Sequence, residues 1–109
     1  MLRKVAIDCL AIQDWETFHD AFEQAFGFPG WYGRNLNAWI DCMTHLDEDG
    51  MSDFKALPDE IVILELSNAN ELKRIAPDIL TATLEMTAFC NWRRAERGDP
   101  PLLLVSCYA

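Results

Sequence analysis

A chain of 109 residues, half of them hydrophobic and including 4 Trp, 6 Phe and 2 Tyr, has ample material for one packed core and is short for two domains. Its 18 acidic and 9 basic side chains leave a formal charge of −9, and the hydrophobic content sets it apart from chains too polar to collapse. The charge is uneven: residues 1–70 hold 13 acids against 4 bases, whereas residues 71–109 hold 5 of each.

An acidic segment of this kind repels a phosphate backbone, which argues against direct nucleic-acid binding. It serves solubility alone, or it attracts a basic protein. No run reaches the ~18 apolar residues of a bilayer-spanning helix, and the first five residues carry no signal-peptide pattern. A cytoplasmic location without membrane contact is expected. Cys9, Cys42, Cys90 and Cys107 lack zinc-ligand spacing and read as reduced, mostly buried thiols.

Residues 5–10 are short and apolar and predict a first strand. Asp14 has the chemistry of a helix N-cap, Trp15, Phe18, Phe22 and Phe26 recur at helical spacing, and Gly27 supplies the stop. The stretch 28–33, with Pro29, Gly30 and Gly33, predicts a loop. Asn35 then caps a second helix, with Leu36, Trp39, Met43 and Leu46 on its core face and Ile40 at the margin. An advance of about 100° per residue groups Asn37, Asp41 and Thr44 on the water-facing side.

Residues 47–60 form an acidic connection with turn signals. Residues 61–66, Ile-Val-Ile-Leu-Glu-Leu, predict a strand covered on both faces. Asn68 and Asn70 are candidate caps for a short helix carrying Leu72 and Ile75. Pro77 suits the first turn of a longer helix bearing Leu80, Leu84 and Ala88. That helix ends in Arg93, Arg94 and Arg97 before Gly98. Residues 101–106 predict the third strand. Strands separated by helices imply crossovers and parallel pairing, so the expected architecture is α/β: one domain, a small three-stranded parallel sheet and about four helices.

Chemistry is sparse. His19 and His45 stand in no motif and are expected at the surface. There is no GxSxG, Walker, GxGxxG or HExxH pattern, and no cofactor or metal is implied. Cys42 beside Asp41 is a poor thiolate. Glu65 interrupts an apolar strand; it is either paired or placed where open sheets bind ligands. An enzyme working through Glu65 or Cys42 is the weakest of the readings these residues allow. The informative segment is the loop with Trp31 and Tyr32, followed by Asn37 and Asp41 on the next helix. Two aromatics beside a charge are what protein interfaces use as energetic centres. The other reading is that both rings plug the core.

The order Gly30-Trp31-Tyr32-Gly33-Arg34-Asn35-Leu36-Asn37-Ala38-Trp39-Ile40-Asp41-Cys42-Met43-Thr44 resembles the signature of the barstar family, intracellular inhibitors of secreted ribonucleases such as barnase. Tyr32, Gly33, Asn35, Leu36, Ala38, Asp41, Cys42 and Thr44 are the identities, and Val62-Ile63-Leu64-Glu65 resembles the family's central strand. Element order agrees along nearly the whole chain, with 47–60 as an insertion.

The resemblance implies a barstar-like fold and a non-enzymatic inhibitor whose loop and second helix plug the active site of a basic ribonuclease or related nuclease toxin. Trp31, Tyr32, Asn35, Asn37, Ile40, Asp41 and Thr44 would form the partner-binding set, and Asp41 would take the place of a substrate phosphate. Four positions depart from the pattern: Trp31 replaces a tyrosine, Asn37 an aspartate and Ile40 a tryptophan, while Arg93 falls where an acid is expected. The alternative is an adaptor or regulatory module of the same fold with a non-nuclease protein partner.

Overall fold

The computed structural model describes residues 1–109. The chain runs β1 (Leu2–Asp8), a single 3-10 turn (Cys9–Ala11), α1 (Trp15–Phe26), α2 (Leu36–Thr44), β2 (Ile61–Ser67), α3 (Ala69–Ile75), α4 (Pro77–Glu96) and β3 (Leu103–Cys107). The sheet has the order β1-β2-β3 and is parallel throughout. Leu64 of the central strand faces Val5 on one side and Val105 on the other.

Local chemistry sets several element ends. The Asp14 carboxylate accepts from Thr17 N (2.8 Å), while the Thr17 hydroxyl accepts from Asp14 N (3.1 Å), a reciprocal cap on α1. Gly27 ends that helix at φ 65°, and a Cβ there would lie 2.6 Å from Asp53 Cβ, so glycine is required twice over. β1 stops earlier than the apolar run suggests because Asp8 accepts from Leu10 N (3.0 Å) and Asn68 Nδ2 (2.9 Å), turning the chain. Asn68 stands at the N-cap position of α3 as expected, but its side chain holds β1 instead of bonding the helix end, and Asn70 lies inside that helix.

The core is an aromatic layer. Phe18, Phe22 and Phe26 of α1 are fully buried, and Trp39 of α2 packs edge-on against Phe22 at 5.3 Å and lies 6.0 Å from Phe18. Each buried ring stabilises the fold by about 1.5–3 kcal/mol. The Trp39 indole N–H has no acceptor among these rings.

β2 is covered on one face only, a correction to the expectation drawn from its apolar run. Val62, Leu64 and Leu66 are buried, whereas Ile61, Ile63 and Glu65 are half-buried beside exposed Lys4, Ala6 and Leu104. Both crossovers step one strand in the same direction, and right-handed connections then put both sets of helices on the same side.

α4 also turns a different face inward. Ile79, Thr83, Met86, Thr87, Cys90 and Arg94 are buried, while Leu84 and Ala88 are exposed and Leu80 is half-buried. The threonine hydroxyls donate back to Ile79 O (2.7 Å) and Thr83 O (2.8 Å), which removes the penalty of burying them. Arg94, 2% exposed, donates to Pro100 O (2.9 Å), Thr44 O (2.9 Å) and both Asp47 carboxylate oxygens (3.0 and 3.1 Å). Burial pushes the Asp47 carboxyl up, but the hydrogen bonds and charge of Arg94, with Arg97 behind it, outweigh this and hold it below the usual range.

The 47–60 connection is irregular but tied down. Asp53 N and Phe54 N donate to Gly27 O (2.8 Å) and Phe26 O (2.9 Å), and Ala56 N to Leu46 O (2.9 Å). Phe54 packs edge-on to Phe26 and lies under the Arg3 guanidinium at 4.2 Å.

Two further anchors hold the loop between α1 and α2. Tyr32, 7% exposed, packs against Phe28 at 4.7 Å, and its hydroxyl meets Nδ1 of His19, itself buried in α1 rather than at the surface. Burial, and then the charge of Arg34, push the His19 imidazole below its ordinary range despite Glu23 and Asp20 nearby. Burial likewise pushes the Tyr32 phenol up. A neutral phenol donating to a neutral imidazole satisfies both shifts.

Arg94→Ala leaves Asp47 and two carbonyls without their donor and should lower the unfolding free energy by about 3–5 kcal/mol, measured by urea denaturation, with Arg94→Met losing less. His19 gives a pH signature. Its folded pKa is depressed, so its contribution is complete above the unfolded value of about 6.5 and declines as pH falls below it, by at most ~1.4 kcal/mol per pH unit. The stability difference between wild type and His19→Gln should therefore shrink between pH 7 and 5; a constant difference would show that His19 is not buried neutral.

A candidate protein-binding face on the loop and second helix

The loop is shaped before any partner arrives. Tyr32 N donates to Pro29 O (2.9 Å), closing a tight turn around Gly30. Because Tyr32 points inward, its neighbour Trp31 is turned out and is 64% exposed. Arg34 holds a left-handed backbone, φ 53°, a conformation that disfavours side chains by roughly 1–2 kcal/mol. Its guanidinium compensates by clamping α1, donating to Glu16 O (2.9 Å), Asp20 (2.7 Å) and Glu23. Asn35 then accepts from Ala38 N (2.8 Å) and starts α2. Loop ordering is thus done in the free protein, which reduces what association must offset.

On α2, Trp39, Cys42 and Met43 face the core, which turns Asn37 and Asp41 to the solvent. The Asp41 side chain is 56% exposed, and its Oδ1 accepts from Nη1 of Arg93 on α4 at 2.9 Å. Asp41 Oδ2 and the Asn37 amide have no protein partner. Ile40 is half-buried, and its carbonyl accepts from the Thr44 hydroxyl (2.6 Å) and the Cys90 thiol (3.6 Å).

Thr44 corrects the helical-wheel grouping: it is 1% exposed. It shares an angular position with Asn37, but two turns further along α2 that side is covered by Arg94 of α4. Leu36 shows the reverse, being 40% exposed although it belongs to the apolar stripe, because the first turn of α2 projects beyond the core. Of the seven candidate residues, Trp31, Asn35, Asn37 and Asp41 are exposed, Ile40 is half-buried, and Tyr32 and Thr44 are buried.

The sequence carried no local sign of the His19–Tyr32 or Arg93–Asp41 pairs, which join residues 13 and 52 positions apart, and the Arg34 clamp spans 11 to 18 positions. Charge pattern alone left one trace, acids at Asp20 and Glu23 one turn apart ahead of a lone Arg34. Asp47, Glu48 and Asp49 at the start of the connection are not free either. Asp47 pairs with Arg94, Glu48 with His45 and Arg97, and Asp49 with Lys55.

Burial, and then the Asp41 charge, push the Cys42 thiol up to about 11, so it stays protonated. Glu65 lies on the open sheet face, 3.7 Å from Lys4. Neither the groove between β1 and α1 nor the one near Asp47, Glu60 and Pro100 includes Asp41, Cys42 or Glu65.

This geometry coincides with family membership. Residues 2–106 match the family described as Barstar (barnase inhibitor). A stretch of 43 residues is 42% identical to the Bacillus subtilis (strain 168) protein named "Putative ribonuclease inhibitor YrdF", covering 39% of this chain and 47% of that relative. The matched stretch thus spans about half the length of that curated relative. Since the family match extends from the start of β1 into β3 and includes the loop, α2 and α4, the chain belongs to the barstar family.

Proposed function

We propose that this protein inhibits a basic ribonuclease or a related nuclease toxin by seating the Trp31 loop and the outer side of α2 in the enzyme's active site. It acts by binding, without chemistry of its own. The observation that carries this reading is the Asp41 carboxylate: exposed, on a helix fixed by its own buried side chains, with Oδ2 open to an incoming donor. A ribonuclease must hold a phosphodiester, so its active site presents cationic donors. A carboxylate held at this point can accept charge-assisted hydrogen bonds from them in place of the phosphate. Trp31 is the apolar anchor beside that charge, and the net charge of −9 favours encounter with a basic surface.

The remaining members of the set act in two ways. Asn37 and Ile40 flank Asp41 and meet the partner directly. Tyr32, Asn35 and Thr44 hold the loop and helix in place. The name of the Bacillus subtilis relative supports a ribonuclease as the target.

The test is inhibition of RNA cleavage by a panel of small basic ribonucleases. Stoichiometric inhibition is expected from the wild type, falling by about 100-fold in Asp41→Ala because the enzyme's cation is left buried and unpaired. Trp31→Ala should lose about 30-fold, a typical value for an exposed aromatic anchor. Equal affinity for Asp41→Ala and wild type would end this reading. Absence of inhibition across the panel would transfer support to a barstar-fold adaptor with a non-nuclease partner.

A further inference from the structure

The ion pair at the centre of this face is internal. Arg93 reaches Asp41 from α4 at 2.9 Å, and its side chain is 33% exposed. The helices bearing the two residues lie side by side in the same direction: Cys90 reaches Ile40 O, Arg93 reaches Asp41, and Arg94 reaches Thr44 O. The backbone at Arg93 is fixed in this register, because the next residue, Arg94, is locked by four hydrogen bonds, and the Arg93 side chain is held over Asp41 by its own bond to Oδ1. Any partner that covers Asp41 therefore covers Arg93 as well. Phe89, one turn before Arg93, stacks on Trp92 at 5.6 Å, and both rings are exposed. They add exposed apolar surface on the same stretch of α4.

As an exposed pair in water, Asp41–Arg93 contributes little to stability. Under a docked protein its meaning changes. A partner cation at Asp41 Oδ2 would share one carboxylate with Arg93, and two guanidinium or ammonium groups would lie within a few ångströms of each other in a desolvated contact. Charges of like sign held this way oppose binding strongly and select against such partners.

Building on the inhibitor reading above, we propose that Arg93 is the specificity-determining residue of this face. It excludes a ribonuclease whose active site is cationic throughout. It admits one that presents an acceptor, a carboxylate or a backbone carbonyl, beside the cation that meets Asp41. The complementary surface is then a cation next to an acceptor rather than a cluster of cations.

Barnase, a basic ribonuclease, serves as the probe, with Kd and association rate measured for wild type, Arg93→Ala, Arg93→Glu, Arg93→Lys and the double variant Asp41→Ala/Arg93→Ala. Removing the guanidinium should tighten binding at least 10-fold, and reversing its sign at least 100-fold. Arg93→Lys should behave as wild type, and the gain should vanish in the double variant. The gain of Arg93→Glu should diminish as salt is raised. Thermal unfolding of every variant within a few degrees of wild type confirms that the fold is kept.

Arg93→Ala and Arg93→Glu binding barnase no better than wild type overturns the proposal, whether or not the wild type inhibits other ribonucleases. A gain in Arg93→Glu alongside a wild type that inhibits nothing in the panel upholds the filter and removes the inhibitor reading. A wild type that inhibits a panel member, alongside Arg93 variants that bind barnase no better than wild type, retains the inhibitor reading and removes the filter.

Discussion

The rotation of α2 about its own axis is the constraint on which the rest depends. Trp39 is fully buried against Phe18 and Phe22, and Cys42 and Met43 are buried with it. With those three positions turned inward, a helix has no choice about Asn37 and Asp41. The packing of α2 sets the direction of the carboxylate, and Arg93 then holds its Oδ1. On the other flank, Arg94 joins the last turn of α2 to α4 and to the chain before β3 through Thr44 O, Asp47 and Pro100 O. A buried arginine with four of its five N–H groups bonded contributes little beyond an apolar residue of its size, but it tolerates only one arrangement of its partners. It thereby fixes the depth and register at which α2 and α4 meet.

The same principle of ordering in the free state runs through the loop. Tyr32 closes on His19, Arg34 on three groups of α1, and Asn35 on the first turn of α2. The inward ring of Tyr32 forces the outward ring of Trp31. A strained backbone at Arg34 persists because its side chain is held at several points, a pattern found where a loop must keep one shape. A small α/β domain with an unfavourable surface-to-volume ratio can carry such a loop because its aromatic layer is dense.

Electrostatics here work at two ranges. At long range the net charge of −9 governs encounter, and internal pairing leaves that total unchanged. At short range Asp41, Asp47, Glu48 and Asp49 are paired with Arg93, Arg94, Arg97 and Lys55. The face is therefore acidic to a distant partner and mixed in sign to a docked one. A reading of composition sees only the first of these.

What was legible from sequence shares one property: it is local. Asp14, Gly27, Asn35, Pro77 and Gly98 stand where the caps and stops were expected, and the spacing of Phe18, Phe22, Phe26 and Trp39 identified the inner faces of α1 and α2. Alternating strands and helices determined the parallel sheet, because crossovers leave no other pairing. The motif from Gly30 to Thr44 located the candidate face. Tertiary structure alone decided which side of α4 is buried, since Thr83, Thr87 and Arg94 become acceptable inside only after their partners are in place. It also decided that Thr44 is covered while Asn37, at the same angle, is open, because periodicity specifies direction around a helix and not how far along it a neighbour reaches. The pairing of Asp41 with Arg93 across 52 residues belongs to the same class: local sequence carries charge and periodicity, but only the folded chain determines which charges meet.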